Sequence, residues 1–91
     1  MLHLSSSQYD FLLDRFENET FGIVDDLDIE LEIVGAGLDA TLHISAVAYE
    51  TRFGPCFAFY RLELQTFVDG GWPLSNDFDP KRFIQLYRLR A

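Results

Sequence analysis

Two periodicities organise the chain. Tyr9, Leu12, Leu13 and Phe16 recur at i, i+3, i+4 and i+7, the spacing that lines one face of a helix. Ser5 followed three residues later by Gln8 forms a capping box at its start, and Leu4 and Tyr9 then occupy the two positions of a hydrophobic staple. Ser7 with Asp10 is a competing cap. The pattern predicts that the helix fades near Asn18, ahead of Gly22. From Leu27 to Ile33 the period drops to two. Leu27, Ile29, Leu31 and Ile33 share one face, while Asp26, Asp28, Glu30 and Glu32 share the other, as in a half-buried strand.

A Gly35-Ala36-Gly37 turn leads to a second β run over 40–53, and Gly54-Pro55 leads to a third over 57–68. Asp69-Gly70-Gly71 closes the sheet region, and Trp72-Pro73-Leu74 is a candidate short edge segment, where proline is tolerated. Asp79 as N-cap and Pro80 at the first helical position open a final helix with Phe83, Leu86 and Tyr87 as its apolar stripe. Arg88 and Arg90 sit at its C-terminal end, where positive charge suits the helix dipole. The expected fold is a single α+β domain over 1–91 in α-β-β-β-α order. An antiparallel sheet of three strands, or four with the edge segment, is packed by both helices.

Strand parity fixes the faces, because a slip of one residue exchanges them. Setting Leu31 opposite Leu42 places Ile29 opposite Ile44, Leu27 opposite Ala46, Glu30 opposite His43 and Asp28 opposite Ser45. Apolar pairing of the second and third runs requires even with even residues, such as Ala48 with Leu62 and Ala46 with Leu64. That register demands an odd loop or a bulge near Gly54-Pro55-Cys56. The expected core face is then Leu27, Ile29, Leu31, Ile33, Leu42, Ile44, Ala46, Ala48, Tyr60, Leu62, Leu64 and Val68. The opposite face carries the β1 acids with His43, Val47, Tyr49, Phe57, Phe59, Arg61, Glu63, Gln65 and Phe67. Its aromatic groups need cover, either from the C-terminal segment or from another protein.

Composition narrows the function classes. The 91 residues include one cysteine, so neither an internal disulfide nor a multi-thiolate metal site is available. Nine Phe, four Tyr and one Trp supply the apolar area that disordered chains lack. No stretch approaches a membrane span, and Met1-Leu2-His3-Leu4-Ser5 lacks the basic-then-apolar pattern of a secretory signal, so the expected location is cytoplasmic. The net charge of -8 is unevenly distributed: residues 1–50 hold eleven carboxylates against Arg15, while residues 51–91 hold six basic against four acidic side chains. Such a chain repels nucleic acid and attracts basic proteins.

The motifs that suggest chemistry lack the context it needs. Gly35-x-Gly37-x-x-Ala40 matches a dinucleotide fingerprint, but alternation resumes at once where a helix N-terminus should hold pyrophosphate. Only His3 and His43 could serve as histidine bases, no Ser stands in a nucleophile elbow, and Cys56 has no basic neighbour in sequence and reads as a small buried apolar group. Asp25 to Glu32 is acidic enough for calcium, but an EF-hand loop curls around the ion, whereas this segment alternates with Leu and Ile. The expectation is no enzyme, no cofactor and no metal.

The spacing of the acids has a different meaning. Carboxylates at alternate strand positions stand about 6.8 Å apart in a row, near the interval between successive phosphates of a nucleic-acid strand. Asp10, Asp14 and Glu17 offer a second row on the solvent side of the first helix. Rows of like charge cost stability, so a reason to retain them is worth seeking. The reading that follows is an acidic protein-binding module. It inhibits a basic nucleic-acid-handling partner by phosphate mimicry, in the manner of small anti-restriction, anti-CRISPR or nuclease-immunity proteins by analogy of charge and size alone. Its contact residues would be Asp26, Asp28, Glu30, Glu32, Asp10, Asp14 and Glu17, with Tyr49, Phe59 or Trp72 as anchors. The alternative is a structural homodimer built on the mixed aromatic sheet face, with the acids serving solubility.

Overall fold

A computed structural model describes residues 1–90. The order is α1 (Ser6–Thr20), β1 (Leu27–Gly35), β2 (Leu38–Thr51), β3 (Gly54–Val68), β4 (Trp72–Leu74) and α2 (Pro80–Arg90). The strands form one antiparallel sheet in the order β1-β2-β3-β4.

Local signals set the element starts. The Ser5 hydroxyl accepts the Gln8 N–H at 3.2 Å, and the Gln8 side chain accepts the Ser5 N–H at 2.9 Å, so the reciprocal cap at Ser5 prevails over the one at Ser7. α1 runs two residues past Asn18, because Thr20 is buried and its hydroxyl donates back to the Phe16 carbonyl at 2.8 Å. α2 opens as expected, with Asp79 Oδ1 accepting the Lys81 N–H at 3.0 Å. The β1–β2 turn is two residues long, with Ala36 at φ 52° and Gly37 at φ 77°, the pair of left-handed conformations a type I′ hairpin requires.

The β1–β2 register is as expected, with Leu27 opposite Ala46, Ile29 opposite Ile44, Glu30 opposite His43 and Leu31 opposite Leu42. The β2–β3 register is not. Its turn is Arg52-Phe53, with Thr51 opposite Gly54 and Pro55 already within β3. A two-residue turn there pairs even with odd residues, so Ala48 meets Phe57 and Ala46 meets Phe59. The ladder then skips Tyr60 between the Ser45–Arg61 and Ala46–Phe59 pairs, and even meets even again at Ile44–Leu62 and Leu42–Leu64. The anticipated irregularity exists, but within β3 instead of at Gly54-Pro55-Cys56.

This bulge corrects the expected faces. Tyr60 is extruded and 70% exposed instead of joining the core, whereas Phe57 is buried and Phe59 is half-buried against the core. Val68, beyond the reach of the helices, is also exposed. Both helices lie on one side of the sheet. Tyr9, Leu12, Leu13 and Phe16 of α1 and Phe83 of α2 pack on Leu31, Ile33, Leu42, Ile44, Ala46, Leu62 and Leu64. Phe16 is the centre of this layer, meeting Phe57, Phe59, Phe83 and Tyr87 edge-to-face at 5.9, 5.4, 6.1 and 5.9 Å between ring centroids. The C-terminal helix therefore gives no cover to the other face of the sheet.

Candidate interaction surface

The uncovered face is where the strand acids stand. Alternation places Asp28, Glu30 and Glu32 of β1, Asp39 of β2 and Glu63 of β3 on it, with Asp26 at its end. Arg61 is the cation on this face among the described residues, and Glu63 accepts from it at 3.2 Å. Each acid at the Asp26 end has one oxygen engaged. Asp26 Oδ1 accepts the Ala48 N–H at 2.9 Å, and Asp28 Oδ1 accepts from the Ser45 hydroxyl at 3.0 Å. Glu30 Oε1 lies 3.1 Å from His43 Nδ1, whose other nitrogen lies 3.3 Å from Gln65 Oε1. These bonds hold the carboxylates in a row across a rigid, paired ladder and leave their remaining oxygens in solvent.

The second acidic row has a different environment. Asp10, Asp14 and Glu17 converge on Arg90 of α2, with contacts of 3.4, 2.7 and 3.5 Å. The hydrogen bond that Arg90 donates to Asp14 and the neighbouring Glu17 charge raise the guanidinium pKa above its ordinary value. This row lies on the helical side of the domain, with the sheet between it and the β1 acids. The sequence showed Asp10, Asp14 and Glu17 on one helix face but not the cation from the far end of the chain that faces them.

The three aromatic anchors are scattered. Tyr49 shares the uncovered face and, with Val47, flanks the Asp26 end, where the β2–β3 arm extends past β1. Phe59 is turned into the aromatic core by the Tyr60 bulge. Trp72 is exposed on β4, three strands away from β1.

Sequence reasoning missed Phe21 and Phe53, which are 92% and 87% exposed. They rim a groove of about 360 Å³ at the arm's tip, lined by Phe16, Cys56, Phe57 and Tyr87. Both immediately precede a glycine, Phe21 after α1 and Phe53 at the end of the expected second β run but in its turn here, and an aromatic residue before a glycine is the signal that could have found them. Cys56 lines this groove half-buried instead of lying in the core. Burial pushes the Tyr87 phenol up, and its oxygen accepts the Phe57 N–H at 3.0 Å. The Gly35-x-Gly37 sequence is the tip of the β1–β2 hairpin and leads into β2.

No family model matches the chain, and neither a curated protein nor a solved structure is detectably similar to it. Among the described residues, no helix is long and apolar enough to cross a membrane.

Proposed function

We propose that this chain is an acidic protein-binding module that docks on the basic surface of a nucleic-acid-handling partner and inhibits it, the β1 carboxylates taking the place of phosphates. The observation that carries the reading is the uncovered sheet face, on which the row from Asp26 to Glu32 is fixed by a paired ladder and Arg61 is already matched to Glu63. A partner's Lys and Arg side chains would meet preorganised carboxylates at about 6.8 Å intervals. Val47 and Tyr49 supply apolar contact at one end. The alternative, a homodimer through an aromatic sheet face, loses its main support because Phe57 and Phe59 point to the other side.

The test is affinity capture from a lysate of the source cell with the wild-type chain and with a variant carrying Asp26→Asn, Asp28→Asn, Glu30→Gln and Glu32→Gln. The substitutions keep an oxygen acceptor for Ala48 and Ser45, so the fold is retained. Capture of a basic nucleic-acid-binding protein, displaced by duplex DNA and lost in the variant, supports the reading. Capture that the variant leaves unchanged overturns it.

A further inference from the structure

The sheet's other free edges carry a cap or an interruption at several positions. Where β2 runs past the end of β1, Asp26 takes the Ala48 N–H. On the far side β3 is covered by β4 over Thr66–Val68, by Asn76, whose amide donates to the Leu64 carbonyl at 2.9 Å, and by Tyr87 at the Phe57 N–H. The Tyr60 bulge interrupts the remainder of that edge.

β1 is different. The two-residue turn makes Gly35 and Leu38 a bonded pair, and alternation along the ladder then sends the N–H and C=O groups of Asp28, Glu30, Glu32 and Val34 away from β2. Arg15 shows the same direction, since its guanidinium donates to the Glu32 carbonyl from outside at 3.1 Å. Among the described residues no other hydrogen bond reaches this row.

An open edge of this length is a template for another strand. Here the outward backbone groups belong to the residues that carry the carboxylates. A strand added antiparallel would set alternate side chains directly beside Asp28, Glu30 and Glu32, at about 4.5–5.5 Å between Cβ atoms. A second copy of β1 would place like charges opposite one another. A strand with Lys or Arg at every second position would match each carboxylate while its backbone fills the edge.

We propose that the β1 edge is a strand-addition site for an extended cationic segment of the partner, basic at alternate positions. This rests on reading the acidic face as a docking surface and adds that the docking runs through backbone hydrogen bonds. On binding, the added strand takes over the Glu32 carbonyl from Arg15.

The experiment uses the full chain and a short synthetic peptide alternating lysine with valine or threonine, with a scrambled peptide of the same composition as control. Amide hydrogen exchange is read residue by residue. The expected result is protection of the Asp28, Glu30, Glu32 and Val34 N–H groups by the alternating peptide and not by the scrambled one. Val34→Pro keeps every carboxylate and removes one outward N–H that the β1–β2 ladder does not use, so it weakens peptide binding about tenfold, while Val34→Thr binds as wild type. Protection absent from these four amides, or equal binding of the two peptides, overturns strand addition. A lysate partner lost with the charge variant but retained by Val34→Pro also overturns it while leaving the docking reading intact. A partner retained by both variants removes both.

Discussion

The Tyr9 hydroxyl accepts the Asp79 N–H at 2.8 Å, joining the first turn of α1 to the cap of α2 across seventy residues of chain. The same ring stacks on Phe78 at 5.8 Å between centroids and carries the Arg82 guanidinium 4.4 Å above it. Tyr9 thus sets where the last helix begins. Tyr9→Phe keeps the ring and its packing but strands the Asp79 N–H. The expected cost is about 1–2 kcal/mol. For a domain of this size each kcal/mol lowers Tm by about 4–8 °C, a shift readable by thermal circular dichroism. An unchanged Tm would mean that water replaces the phenol at no cost.

Arg90 gathers three α1 carboxylates at the solvent surface, so its contribution is electrostatic and modest. Arg90→Gln is expected to cost about 0.3–1 kcal/mol in low salt. The difference from wild type should shrink as salt approaches 1 M, where the screening length is about 3 Å. Asp14→Asn should show a similar small loss of stability with partner capture unchanged, because this row faces Arg90 on the helical side. Loss of capture in Asp14→Asn would bring the α1 row back into the docking surface.

The difference between these two acidic rows shows what the sequence could reveal. Strict alternation from Leu27 to Ile33 assigned the buried face of β1, because the apolar set can face only one way, and setting Leu31 opposite Leu42 within that parity matched the observed pairs. For β2 and β3 the parity conflict was visible in the sequence, but two places can absorb it. Gly54-Pro55 resembled a turn and suggested the loop, whereas the chain turns at Arg52-Phe53 and places the extra residue at Tyr60. Nothing in the identity of Tyr60 marks a bulge, since the choice depends on the fit of Phe57 and Phe59 against Phe16. The Arg90 clamp was hidden for a similar reason: it joins residues 14 and 90, which only the tertiary fold brings together.

Asp77 anchors the segment before α1. Its Oδ1 accepts the Leu4 N–H at 2.8 Å, and Oδ2 lies 3.0 Å from His3 Nδ1. The Leu4 N–H, followed by His3, holds its carboxyl below the ordinary value of 3.8. Folding therefore favours the charged form. The stabilisation is present above pH 3.8 and is lost as pH falls through the lowered folded value. The Leu4 amide resonance should titrate with a midpoint below 3.8, and Asp77→Asn should abolish that titration. A Leu4 midpoint at or above 3.8 would contradict the assignment.

Deletion of Tyr60 tests the bulge directly. With Tyr60 absent, Phe59 and Arg61 become consecutive opposite Ala46 and Ser45, and the ladder closes without an extra residue. Every other side chain keeps its face, including Phe57 and Phe59 toward Phe16. The shortened chain should therefore fold cooperatively with wild-type far-ultraviolet circular dichroism, and so should a chain lacking Arg61 instead, since Tyr60 can take the exposed strand position facing Ser45. Phe59 then stays opposite Ala46, and the Tyr60 ring replaces the guanidinium beside the acids on the uncovered face. A ladder that slipped instead would turn Phe57 and Phe59 out of the core, and losing a buried Phe costs about 3–5 kcal/mol. A second effect accompanies the Tyr60 deletion, because bulges twist an edge away from neighbours. Without one, the β3 edge is straighter, and sedimentation velocity should show stronger concentration-dependent self-association than in the parent chain. A monomeric deletion variant would mean that Tyr87 and Asn76 protect this edge without help from the bulge.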